Sequence, residues 1–197
     1  KYFDSQKNIY ANGSQTSLAV ALYLGIVPDG LEQNVADNLY RIVKENNGYL
    51  DFGVLGSKTV LRMLSKYGYA DIACQMASKE DEPSWGAWIK KGFNTMPETW
   101  TLSPEFRDAS INHMFLGDIN AWMYNVLAGI NYDPEIPGFK HILIRPHFVE
   151  GLDWVKGEYN SIKGLIRSEW KREGSKVRLE VEIPINTTAT IEVMDKK

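Results

Sequence analysis

The side chains best suited to chemistry lie in one stretch, residues 84–118, SWGAWIKKGFNTMPETWTLSPEFRDASINHMFLGD. Glu98 stands between Pro97 and Trp100, Glu105 and Asp108 follow, and His113 reads as the start of a helix. A carboxylate crowded by aromatic rings loses hydration, which disfavours its charged form and makes it a better proton acceptor. That is what a general base working near neutrality requires. The competing reading of Glu98 is a solvated loop acid or a helix cap, and the local pattern alone does not choose between them. Hydrolysis of a glycosidic bond takes two carboxyl groups on opposite sides of the bond. Glu98 is the strongest candidate for one of them, and Glu105, Asp108 and Asp51 are the choices for a second. His113 could hydrogen-bond a ligand hydroxyl or cap a helix. Trp85 and Trp100 could stack on a sugar ring or simply fill a core.

Other chemistries lack their residues. Three scattered histidines and one cysteine have no metal-ligand spacing, so no metal and no cofactor is expected. Neither a Gly-rich phosphate loop nor a Gly-x-Ser-x-Gly elbow is present. Cys74, beside Ala73 in a helical pattern, reads as a core thiol. Asn12-Gly13-Ser14 and Asn186-Thr187-Thr188 match the short glycosylation pattern.

The elements that must position these side chains fall into two kinds. Residues 14–24 are apolar nearly all round from Leu18 to Leu24, the pattern of a buried helix, with Gly25 as its stop. A second helix opens at Pro28-Asp29, carries Leu31, Val35, Leu39 and Ile42 on one face, and ends at Asn46-Asn47-Gly48. A third follows Ser57 and a fourth covers about 69–79. Ser110 or Asn112 caps a last helix to Leu127 with the stripe Phe115, Ile119, Trp122 and Val126. A buried helix followed by an amphipathic one suggests the inner and outer layers of an α/α toroid.

From about residue 140 the period changes to two. Residues 176–183 alternate, with Val177, Leu179, Val181 and Ile183 on one face. Residues 163–172 precede them across the turn Glu173-Gly174-Ser175. Further strands are expected at 140–145, 152–159 and 188–193, together an antiparallel β-sandwich. Pro134 and Pro137-Gly138 mark the linker, which divides the chain into 1–138 and 139–197.

Composition narrows the function classes. The chain of 197 residues is 44% hydrophobic and 24% charged, ordinary for a globular protein. Its net charge is −5 over 1–138 (11 basic, 16 acidic residues) and +2 over 139–197 (11 basic, 9 acidic), −3 in all. Neither part is a basic patch, so no nucleic-acid partner is expected. No run of about 18 apolar residues offers a membrane span, and residues 1–10 lack the apolar core of a secretion signal. The compartment stays open between periplasmic, secreted and cytoplasmic.

Several runs are similar to the bacterial α-L-rhamnosidases of glycoside hydrolase family 78. They are Pro83-Ser84-Trp85-Gly86, Thr95-Met96-Pro97-Glu98-Thr99-Trp100, Ser110-Ile111-Asn112-His113 and His141-Ile142-Leu143-Ile144-Arg145-Pro146. Gln15-Thr16-Ser17-Leu18-Ala19, Gly53-Val54-Leu55-Gly56, Ser168-Glu169-Trp170 and Ile183-Pro184-Ile185-Asn186-Thr187-Thr188-Ala189 also fit, in order, over nearly the whole chain. The resemblance implies an α+β multidomain architecture: part of an (α/α)6 toroid over 1–138, followed by the antiparallel sandwich over 139–197. It implies hydrolysis of terminal α-L-rhamnosides with inversion, Glu98 as general base, His113 as a sugar contact, and Trp85 and Trp100 as pocket walls.

Two departures stand out. The family usually has Trp before the base glutamate, where this chain has Pro97, which fixes φ and lacks an N–H. The family's general acid lies in an Asp-x-x-x-Arg-x-Glu segment; here Asp37 and Arg41 have the spacing but Val43 takes the Glu position. The chain therefore reads as the C-terminal fragment of a larger hydrolase, with five or six helices where a complete toroid has twelve. Its expected partners are a rhamnose-containing glycan or glycoside and the missing N-terminal part of the same enzyme. A partial toroid would expose Leu18, Val20 and Leu22, which favours association, including a homo-oligomer. The alternatives are a non-catalytic carbohydrate-binding or structural remnant and an α/α-toroid glycosidase of different sugar specificity.

Overall fold

Ser14 opens the first long helix of the computed structural model, which describes residues 2–101 and 109–193. The Ser14 backbone is extended and its Oγ accepts the Ser17 N–H at 3.3 Å, an N-cap. Helix α1 spans Gln15–Tyr23 and stops as its sequence predicts: Gly25 turns left-handed, and the Gly25 and Ile26 amides donate back to the Leu22 and Ala21 carbonyls. Ahead of it, β1 (Phe3–Asp4) and β2 (Ile9–Tyr10) form a small antiparallel pair. Helices α2 (Glu32–Glu45), α3 (Val54–Lys66), α4 (Ala70–Ser78) and α5 (Trp85–Lys90) follow.

Helix α1 packs against both α2 and α3. This corrects the expectation that Leu18, Val20 and Leu22 stand exposed: Leu18 and Leu22 are buried and Val20 is half-buried. A helix that is apolar all round needs cover on several faces, and its two neighbours supply it. Helix α3 begins at Val54 rather than after Ser57, which lies buried within the helix.

One surface tie between α2 and α4 has a pH consequence. Tyr69, the residue before α4, donates its hydroxyl to Asp37 Oδ1 at 2.6 Å and stacks its ring on Tyr40 at 4.3 Å. Burial, then the Asp37 hydrogen bond and charge, push the Tyr69 phenol up to about 12. An unfolded tyrosine ionises near 10, so the neutral phenol stabilises the fold below about pH 10 and that contribution is lost as pH rises towards 12. Tyr69→Phe should remove the highest-pH component from the tyrosinate absorbance titration and flatten the loss of stability over that window. An unchanged titration would show that Tyr69 ionises normally.

The chain divides into two compact units, 1–119 and 120–197. Helix α6 (Ile119–Trp122) runs into a π-helical turn, Met123–Leu127, at the start of the second unit. Gly129 follows with φ +74°, where a Cβ would lie 2.2 Å from the Pro146 nitrogen, so only glycine fits. Two three-stranded sheets then form. One has the order β3 (Ile130–Tyr132), β4 (His141–Ile144), β8 (Thr188–Ile191); the other has the order β5 (Trp154–Ser161), β6 (Gly164–Glu173), β7 (Lys176–Glu182). The β6–β7 hairpin closes where the sequence places it, with Glu173 opposite Lys176. Among the described residues the strands pair antiparallel except for β4 and β8, which run parallel, His141 opposite Thr188.

The core of this unit lies between its sheets. Ile130, Ile142, Ile144 and Ile166 are buried together, with Val155, Val181 and Ala189 against them. Trp170 is fully buried and donates its indole N–H to the Leu127 carbonyl at 2.8 Å. His141 is tied into the β4–β8 pair, with Nδ1 at 2.7 Å from Thr188 Oγ1 and Nε2 at 2.9 Å from Thr190 Oγ1.

Candidate active site

The segments of the first unit that carry Glu98 and His113 are two stretches without regular structure, 93–101 and 109–118, zipped together by backbone hydrogen bonds. The Glu98 N–H donates to the Ser110 carbonyl and the His113 N–H to the Met96 carbonyl, both at 2.8 Å. The Thr95 hydroxyl adds a bond to the Ile111 carbonyl at 2.6 Å. This register uses the backbone groups of Met96 and Glu98, so the N–H that Pro97 lacks is not asked for.

Glu98 is half-buried, and its Oε2 accepts the Ser110 N–H at 3.2 Å. The carboxylate is thus held by the strand-like partner that also carries His113. The expectation that His113 starts a helix is corrected: residues 109–118 are turns, and helix begins only at Ile119. The reason is local. Ser110 Oγ takes the Asn112 N–H at 3.1 Å and His113 Nδ1 takes the Phe115 N–H at 3.2 Å. Side chains that hold nearby amides compete with helical hydrogen bonding. Acceptance at Nδ1 places the proton of the neutral imidazole on Nε2, a donor suited to a ligand hydroxyl.

The aromatic residues form one cluster behind this pair of segments. Trp100 is half-buried, stacks on Trp88 at 4.9 Å and meets the edge of Trp85 at 4.9 Å; Phe52 completes the group at 5.9 Å. Its indole N–H donates to the Phe52 carbonyl. Trp85 is buried and donates to the Leu116 carbonyl at 2.9 Å. Trp88, unremarked in the sequence, lies one helical turn from Trp85, a spacing that puts both on one face of α5.

Helix α5 exists because Ser84 caps it: Ser84 Oγ accepts the Ala87 N–H at 2.9 Å and donates to the Lys79 carbonyl at 2.7 Å. Gly86 is required there, since a Cβ would sit 2.1 Å from the Lys79 carbonyl oxygen. Ser84→Ala should cost about 1–2 kcal/mol, read from the urea midpoint, because the part-buried Lys79 carbonyl also loses its donor. No change in midpoint would show that the cap contributes nothing to stability.

Of the choices for a second carboxyl group, Glu105 and Asp108 lie outside the described residues. Asp51 is exposed, and its N–H donates to Gln15 Oε1 at 3.2 Å. Asp37 and Arg41 serve surface contacts on α2, Asp37 with Tyr69 and Gln33, Arg41 with Glu45.

Two family models match the chain. One, described as the bacterial alpha-L-rhamnosidase 6 hairpin glycosidase domain, covers residues 1–127, and the other, the bacterial alpha-L-rhamnosidase C-terminal domain, covers 129–197. The chain belongs to the bacterial α-L-rhamnosidase family. It is 30% identical over 186 residues to an α-L-rhamnosidase of Streptomyces avermitilis, covering 90% of this chain and 18% of that protein. It is 32% identical over 182 residues to one of Formosa agariphila, covering 90% of this chain and 19% of the relative. The crystal structure of the Streptomyces avermitilis enzyme complexed with L-rhamnose superposes with a TM-score of 0.88 at 29% identity, over 96% of this chain and 19% of that one. The chain thus spans about a fifth of the length of the family members it matches. Its helices followed by two small sheets agree with this membership.

Proposed function

We propose that this chain contributes the general base to an inverting hydrolase of terminal α-L-rhamnosides. Glu98 would take a proton from the water that attacks the anomeric carbon, from the face opposite the departing aglycone. The observation that carries this reading is the paired loop: Glu98 Oε2 held by the Ser110 amide, on the same segment that presents His113. A carboxylate fixed at one oxygen keeps the other available for a water. His113 would orient the sugar through Nε2–H. The half-buried Trp100 ring would face the sugar's apolar side, with Trp85 behind it as the backing wall. The general acid that protonates the leaving oxygen would come from the rest of the protein.

Inversion fixes the product: an α-L-rhamnoside yields β-L-rhamnose first. Proton NMR of the full-length protein acting on an aryl α-L-rhamnoside tests this. Initial appearance of the β anomer supports the reading; initial α anomer, or no turnover by the active-site-intact protein, rejects it.

A further inference from the structure

We propose that Arg62 and Asp118 are positioning residues for the candidate active site, acting through the 109–118 segment. The Arg62 Nε and Nη2 both bond Asp118 Oδ2, at 3.1 and 3.0 Å, and both side chains are about three-quarters buried, with 22% and 28% of their surface exposed. Arg62 is on α3, one of the helices packed on α1, so its guanidinium is anchored to the firmest part of the first unit. Asp118 ends the irregular segment just before α6. Two hydrogen bonds from one planar donor fix direction as well as distance, which a single contact does not.

The segment has no helix or strand of its own, so it depends on its ends. At one end Ser110 and His113 are zipped to Glu98 and Met96. At the other, Leu116 receives the Trp85 N–H and Asp118 receives Arg62. Without the Arg62 tie the C-terminal end is held less firmly, and the zipper that holds Glu98 and presents His113 opens more often. Neither Arg62 nor Asp118 need touch substrate for its loss to slow the reaction. This inference rests on the reading of Glu98 and His113 given above, but its physical core, the tie between α3 and the segment, can be read independently of activity.

The test uses the full-length protein with Arg62→Met, Asp118→Asn and the double variant. Amide hydrogen exchange should speed up at least tenfold at Ser110 and His113 in each, with α1 and α3 amides unchanged. The kcat for an aryl α-L-rhamnoside should fall about tenfold in Asp118→Asn and at least as far in Arg62→Met, and the two losses should not multiply in the double, because the variants share the Arg62–Asp118 tie. Unchanged exchange at Ser110 and His113 overturns the proposal, as do losses in kcat that multiply in the double variant. Altered exchange in a protein that never hydrolyses rhamnosides would instead reject the proposed function and leave the tie standing.

Discussion

Glu98→Gln should reduce kcat for an aryl α-L-rhamnoside by about 10²–10⁴, the usual contribution of a general base, with little loss of stability. The amide keeps the shape of the side chain, and its carbonyl oxygen can still accept the Ser110 N–H that now reaches Oε2. What it loses is the ability to take a proton. A sharper version of the experiment uses Glu98→Ala with azide. Azide is already an anion and needs no base, so it should restore turnover and give the rhamnosyl azide of inverted configuration. Full activity in Glu98→Gln would remove Glu98 from the mechanism. Loss of activity without azide rescue would point to a positioning role instead.

The second large effect is on the fold. Trp170→Ala should destabilise the second unit by about 3–5 kcal/mol, as large aromatic truncations in cores do. Trp170 is completely buried, meets the Phe148 ring edge-on at 5.4 Å and sits in β6 opposite Val155 and Leu179. Its N–H also serves the Leu127 carbonyl at the end of the π-helical turn. Trp170→Phe separates the two contributions: the ring largely stays, the donor goes, and about 1–3 kcal/mol should be lost for the orphaned carbonyl. Urea unfolding of both variants gives the answer, and a cost under about 1 kcal/mol for Trp170→Ala would mean that this side chain is not part of the core.

These two residues also mark what was legible before any coordinates. Trp170 lies in a strand whose period of two could be read directly, as could the β7 alternation and the Gly25 stop at the end of α1. Local rules determine such features, so a sequence suffices. The 109–118 segment shows the limit. Phe115, Ile119, Trp122 and Val126 have helical spacing, yet Phe115 is 47% exposed and helix starts four residues later. The local bonds from the Asn112 and Phe115 amides to Ser110 Oγ and His113 Nδ1 compete with the helix, and the backbone bonds to Met96 and Glu98 join residues that spacing cannot pair. The same holds for α5. Its six residues make no measurable period, so no helix is read there. The Arg62–Asp118 tie crosses 56 positions and left no pattern at all.

The parallel partnership of β4 and β8 carries a further consequence, for the order in which the second unit is completed. His141 and Thr188 are 47 positions apart, and the whole β5–β7 meander lies between them. The meander can assemble from neighbouring hairpins, whereas β8 must close a long loop before it gains anything, and that closure is the entropically costly, late event. The last strand thus acts as a latch. A protein shortened after Glu182 should keep its three-stranded meander but lose the strand that protects Ile142 and Ile144 at the open edge of β4, leaving a sheet edge ready to pair with another chain.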